Sequence, residues 1–298
     1  MNRRSFILCI LVFICIIGCN RIRKIPEPVL SHFRAKKTIL KKEILYFPII
    51  NSAKLSEDLI RELDTLFMDR LLKDRRLIVR KEMRYRPTLA KTLLPYYGIS
   101  IDQDLLKKGK AQGAQIILTA IIPPFQKEIK KRGIWPFRKE RQELKIFMVL
   151  NMIDVFTGTY IASSVEEETL YLENDEESQM ALSDERILKT FKRLTKRHIN
   201  TLLKTLSEIP WQGRIIKVDD GNIFINGGSL VGHKRGMIFE VYPISDYILS
   251  SEGRPIPVLG DKLGEIEIKE TRKISSICIS LNNKTKYSVG QIVRLKRE

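Results

Sequence analysis

The sequence predicts an α+β protein: a mixed-sheet α/β sandwich domain over residues 43–209, then a small all-β barrel of SH3-like type over 211–298. Three observations predict it. Up to residue 209, apolar runs of strand length alternate with stretches whose apolar residues recur every three or four positions. Ile209-Pro210 then breaks the pattern. From Trp211 onward short apolar runs follow one another between glycine turns, which is the texture of a small barrel.

Taken in order, Ile44-Leu45-Tyr46-Phe47-Pro48-Ile49-Ile50 reads as a first strand. Ser56-Glu57-Asp58 starts a helix, with a capping hydroxyl followed by acids at the positive helix end. Leu59, Leu63, Leu66, Phe67 and Leu71 give that helix one apolar face. Leu77-Ile78-Val79 is a second strand, and a shorter helix opens near Asp102 and carries Leu105 and Leu106. Ile116–Ile122 is apolar throughout, as a central strand must be when covered on both sides. Two long strands follow, near Glu143–Asp154 and Tyr160–Leu170. Gly158 stands between them, where a tight turn requires positive φ. Acidic residues (Glu166 to Glu168, Glu173 to Glu177) lead into a helix from about Ser183 to Ser207, with Ile187, Phe191, Leu194, Leu202 and Leu206 on one face. In the barrel, strands are expected at Arg214–Val218, Ile223–Asn226, Met237–Tyr242, Gly264–Glu270, Ile274–Leu281 and Gln291–Leu295. Asp220-Gly221 marks a hairpin.

The N-terminus has a different character. Arg3-Arg4 precede an unbroken apolar run from Phe6 to Ile17, which then meets Gly18-Cys19. Twelve residues are too few to cross a bilayer, which takes about 20, but they suit an export signal. The ending resembles the lipobox of bacterial lipoprotein signal peptides. That resemblance implies removal of residues 1–18, cleavage between Gly18 and Cys19, and acylation of Cys19. Arg3-Arg4-Ser5-Phe6 also loosely matches a twin-arginine signal; the strongly apolar run favours general secretion. Asn20, where Asp would retain a lipoprotein in the inner membrane, implies the outer membrane, facing the periplasm.

The formal charge of +18 is unevenly placed. Residues 20–42 carry eight Lys or Arg against Glu27, a net +7, and residues 127–145 carry eight against three acids, a net +5. Residues 19–42 therefore read as a lipidated basic tether beside anionic headgroups, where each cation is worth about 1 kcal/mol, or as a solvated linker. A nucleic-acid binder would spread its cations along a folded groove, and no nucleic-acid partner is expected. Of four cysteines, only Cys19 and Cys278 survive signal removal. Cys278, inside Ser275-Ser276-Ile277-Cys278-Ile279, reads as a small buried hydrophobe.

Two further resemblances cover residues 43–297. Gly213–Val218, Asn222–Gly228, Gly232 through Gly236 to Phe239-Glu240-Val241, Leu263–Ile266 and Val289–Val293 are similar in order to the C-terminal domain of flagellar assembly protein T. Ala111–Leu118 and Val149–Gly158 resemble envelope modules that occur in the middle domain of that family, in the curli secretion lipoprotein and in the N-terminal domain of TolB. The resemblance implies a non-enzymatic periplasmic scaffold, best read as a flagellar ring component that associates with envelope or ring proteins and with copies of itself. An accessory lipoprotein of secretion or polysaccharide export, and an activator of a peptidoglycan synthase, are the alternatives. This chain lacks the extra N-terminal domain of the flagellar family, whose members usually carry no lipid.

No catalytic motif stands out, and no cofactor or metal is expected. His32, His198 and His233 have no ligand spacing. Gly227–Lys234 fails as a phosphate loop because His233 follows Gly232 where Lys is required, Lys234 is followed by Arg235, and no helix follows. Asp154, Asp219 and Asp220 read as turn residues. What remains is the stretch Pro123–Arg141, expected to be a loop. Lys130, Lys131, Arg132, Trp135, Phe137 and Arg138 there interleave cations with aromatics, a combination suited to a membrane surface or to a protein partner. The same aromatics could instead fold back onto the sheet.

Overall fold

The computed structural model describes residues 40–90, 98–172, 183–250, 253–282 and 285–296. The export signal, Gly18, Cys19, most of the tether, His32 and Glu173 to Glu177 lie outside them. The described residues form fourteen strands and three helices.

Strand β1 (Lys42–Asn51), helix α1 (Glu57–Lys73), β2 (Leu77–Lys81), helix α2 (Gln103–Ala111) and β3 (Ile116–Ile122) alternate as expected. β1 lies between β2 and β3 and is parallel to both. The first crossover runs from β1 to β2 and the second runs back past β1 to β3, so right-handed connections require α1 and α2 on opposite faces. That is where their apolar residues pack. Leu59, Leu63, Phe67 and Leu71 of α1 bury with Ile44, Tyr46 and Leu118, whereas Leu105 and Leu106 of α2 bury with Leu45, Phe47 and Ile117. Caps hold both helix starts: Ser56 Oγ accepts from the Leu59 amide, and Asp102 Oδ1 accepts from the Leu105 amide at 2.8 Å. Asp64, on the buried side of α1, accepts from the Tyr46 hydroxyl at 2.7 Å and pairs with Lys81.

β3 runs antiparallel to β5 (Lys139–Asp154), which pairs in turn with β6 (Tyr160–Leu172). Helix α3 (Asp184–Glu208) lies beside α1 on the same face. It buries Ile187, Phe191, Leu194, Leu202 and Leu206 against Leu144, Ile146 and Met148. His198 is buried with them, its Nε2–H donating to the Met148 carbonyl at 2.9 Å. Arg193 and Arg197 of α3 pair with Glu166 and Glu168 of β6, so two of the sequence's clustered acids fasten the helix to the sheet.

The Asp154–Gly158 turn is built as its residues suggest. Asp154 Oδ1 accepts from the Thr157 amide at 2.7 Å, and Gly158 sits at φ +65°. A Cβ at Gly158 would lie 2.2 Å from Arg254 Nη1 and 2.7 Å from Leu106 Cδ1. Gly158→Ala is therefore expected to cost about 1–3 kcal/mol through left-handed strain and crowding, read as a lowered urea midpoint. An unchanged midpoint would show that the turn has room to spare.

The second part is a closed barrel of six antiparallel strands. These are β7 (Gln212–Asp219), β8 (Asn222–Asn226), β9 (Ile238–Tyr242), β12 (Gly264–Thr271), β13 (Ser275–Ser280) and β14 (Ile292–Leu295), ordered β12-β13-β8-β7-β14-β9. All six sequence-expected strands are present. Asp220 (φ +47°) and Gly221 (φ +76°) make the primed turn that matches strand twist. Between β9 and β12 stands an unanticipated hairpin of β10 (Ile244–Leu249) and β11 (Pro255–Leu259), which pair only with each other. Trp211, Phe239, Val241, Ile266, Ile268 and Cys278 fill the barrel. Burial pushes the Cys278 thiol up to about 12, the behaviour of an inert core residue. His233 is also interior: Ser276 Oγ donates to the Gly227 carbonyl and so accepts from His233 Nδ1 at 3.0 Å.

Candidate docking site at a hairpin tip

The stretch 123–141 is not a loop. Residues Gln126–Arg132 form a strand, β4, and β5 begins at Lys139 instead of near Glu143. β4 continues β3 along the same edge of β5. Ile121 faces Val149 and Gln126 faces Lys145, so the chain through Pro123-Pro124-Phe125 holds one residue more than its partner. That is a bulge, and Pro tolerates it because a bulge needs no ladder donor there. Phe125 folds inward toward Phe191, centroids 6.4 Å apart. Beyond the bulge, β4 and the first half of β5 form an arm of about 20 Å, backed by β6 as far as Gln142 and two-stranded from Arg141 outward.

The arm was missed in the sequence because it lacks apolar alternation. Charge pairs hold it instead. Lys130 lies 3.2 Å from both Glu128 and Glu143, Lys145 lies 2.7 Å from Glu128, and Lys131 lies 3.3 Å from Glu140. Hydrogen bonds from Lys145 and Lys130 hold the Glu128 carboxyl below its ordinary value. Bonds to Glu128 and Glu143 raise Lys130. Opposite charges facing each other across strands favour the ladder's register.

These pairs divide the six sequence candidates. Lys130 and Lys131 brace the arm. Arg132 lies in β4, and its side chain is outside the described ones. Trp135, Phe137 and Arg138 belong to the tip, whose turn is closed by the Phe137 amide donating to the Ile134 carbonyl at 2.7 Å. Trp135 is 78% exposed and Phe137 81%, so neither folds back onto the sheet. Sequence reasoning overlooked Ile134, 85% exposed beside them; a lone Ile in a basic stretch gave no periodic signal. The tip therefore carries three large apolar side chains projecting from a braced strand pair that β6 backs at its base, with cations behind them.

No other polar cluster competes for this role by metal chemistry: among the described residues no group of three or more His, Cys, Asp or Glu could hold an ion. His198 and His233 sit in different domains, each ring held neutral down to about pH 4 by burial. Asp154 and Asp220 serve turns, as expected, whereas Asp219 is the last residue of β7, paired with Asn222. Gly228 packs against the Arg272 carbonyl, 2.2 Å from where a Cβ would stand, so its missing side chain serves close backbone packing. No described helix is long and apolar enough to cross a membrane.

No protein-family model matches this chain, and no curated protein matches its sequence. Solved structures resemble part of it. A hypothetical protein of Chlamydia trachomatis is 11% identical with a TM-score of 0.32, over 53% of this chain and 95% of its own. The PelC dodecamer of Paraburkholderia phytofirmans is 14% identical with a TM-score of 0.28, over 51% of this chain and 87% of its own. Rare lipoprotein B of Shewanella oneidensis is 10% identical with a TM-score of 0.30, over 55% and 97%. At such scores these are partial likenesses, and they assign this chain neither an activity nor a partner.

Proposed function

We propose that this chain is a non-catalytic scaffold lipoprotein of the bacterial envelope, tethered by an acylated Cys19 and docking to a neighbouring protein through the β4–β5 tip. The observation that carries the docking role is the exposure of Ile134, Trp135 and Phe137 together on a braced support. Full burial of each is worth about 1.5–3 kcal/mol, and aromatic anchors beside Arg dominate interface energetics. A protein partner fits better than a lipid surface because Lys130 and Lys131 already spend their charge on Glu128, Glu143 and Glu140. The lipid anchor rests on the Gly18-Cys19 sequence. The flagellar basal body, at the outer membrane, is the finer reading, and it rests on the sequence resemblance alone.

Two experiments test these readings separately. Cells carrying the full chain with Ile134, Trp135 and Phe137 changed to Ser are expected to lose envelope crosslinks made from the tip at least tenfold, with an unchanged Tm of the purified protein. Undiminished crosslinks, or equal loss of binding to protein-free anionic vesicles, would overturn the protein-docking role. Deleting the gene and imaging basal bodies tests the flagellar version, which intact rings and normal swimming would remove.

A further inference from the structure

A half-open cavity of about 250 Å³ lies where the sheet domain meets the barrel. Its walls come from the end of α2, the start of β3, the Asp154 turn, the Ile209-Pro210 joint and the face of β7. Three cations line it. Lys42 is buried and donates to the Ile209 carbonyl at 2.8 Å. Lys110 stands in the last turn of α2, exposed at the cavity's edge, and Arg214 of β7 lies over the Phe156 ring at 5.8 Å. A fourth cation, Arg254, stands close behind, donating to the carbonyls of Thr157 and Gly158 at 3.1 and 2.6 Å. Against these the cavity has one carboxylate, Asp154, with one oxygen committed to the Thr157 amide.

Two consequences of this crowding are visible. Burial, then repulsion from Arg214 and Arg254, lowers the Lys110 ammonium below its ordinary value. Burial likewise lowers Arg214, with Asp154 offsetting part of the effect. The charged form of each group is thus held at a cost that a bound anion would relieve. The remaining wall is apolar, through Ile161, Ile209, Pro210 and Ile292. Gln115 bridges the domains by donating to the Gln212 carbonyl, and its buried Oε1 has no partner among the described residues. That leaves an acceptor at the same site for a donor group on a ligand or a water.

We infer that this interdomain cavity binds a small organic anion, its acidic head between Lys110 and Arg214 and its apolar body against Ile161 and Ile209. The volume falls just below the usual range for ligand pockets, about 300–1,000 Å³, so the ligand is a compact acid and not a polymer. Because both domains line the site, occupancy would also fix their junction. The inference is independent of the arm: it concerns the other end of β5 and is read on isolated protein.

The test is calorimetric titration of the purified lipid-free chain with hexanoate, hexanamide and inorganic phosphate at low salt. Saturable hexanoate binding is expected, with hexanamide silent and phosphate weaker. Lys110→Gln should weaken hexanoate by about tenfold or more, the worth of one charge-assisted bond. Its unliganded Tm should be unchanged or slightly raised, since a repulsion is removed. Arg214→Gln should do the same, and Lys110, at the cavity mouth, keeps the test sound if Arg214→Gln fails to fold. No saturable hexanoate binding, equal binding of hexanamide, phosphate as tight as hexanoate, or full affinity in Lys110→Gln would each overturn the proposal.

Discussion

Acidification from pH 7 to pH 4 is expected to destabilise both domains, each through one buried imidazole. His198 and His233 are held neutral with values of about 4, against about 6.5 in an unfolded chain. Burial is the main cause for both, opposed by their hydrogen bonds to backbone. As pH falls below 6.5 the unfolded chain takes up these protons first. The stability that each neutral ring contributes is therefore fully present above pH 6.5 and is lost progressively down to about pH 4. A depression of this size corresponds to about 3 kcal/mol per ring. Neither ring can recruit a second partner on protonation. His198 Nδ1 and His233 Nε2 are buried with no partner among the described residues. Urea midpoints at pH 7, 5.5 and 4.5 should fall steadily. His198→Gln and His233→Gln, whatever they cost at pH 7, should each flatten part of that slope. Equal midpoints at pH 7 and 4.5 in the parent protein would contradict the account.

Replacing Trp211 should have the largest effect of any single substitution in the barrel. The indole is 3% exposed. It meets His233 and Phe239 edge-on, with centroids at 4.6 and 5.6 Å. Two glycines make room for it: a Cβ at Gly213 or Gly227 would lie 2.4 or 2.6 Å from the ring. Trp211→Ala empties a space that these neighbours cannot collapse into, since Gly213 and Phe239 stand on strands of a closed ladder and His233 is held by Ser276. A loss of about 3–5 kcal/mol is expected. The barrel packs with Leu40 and Ile78, so the loss should read as a thermal midpoint lowered by several degrees, followed by circular dichroism. A single transition within a degree or two of the parent's would show that the ring is dispensable.

Much of the architecture was legible because it rests on local patterns. The four-residue spacing of Leu59, Leu63, Phe67 and Leu71 gave α1, and the glycine-separated runs gave all six barrel strands. Hidden elements had other physical origins. β4 is held by Lys130, Glu128, Glu143 and Lys145 across strands, and such pairing leaves no hydropathy period. β10 and β11 carry Pro255 and Pro257 and bury little, so they offered neither signal. The docking aromatics were legible as composition, but their outward aim was not, because it depends on a support that looked like loop. The cavity could not be read at all. Lys42, Lys110 and Arg214 are distant in sequence, and only the fold assembles them.

One contact reaches further than its size. Leu40, just ahead of β1, is buried in the barrel cluster with Val293 of β14, and the Lys41 amide donates to the Val231 carbonyl at 2.8 Å. The earliest described residue thus waits on the described strand farthest from it in sequence, because β14 closes the barrel between β7 and β9. Contacts spanning so much chain slow folding, since the long loop must be closed before the contact stabilises anything. Pairing of β14 with β7 and β9 is thus the step that lets the start of β1 settle, and it acts as the latch of the described fold.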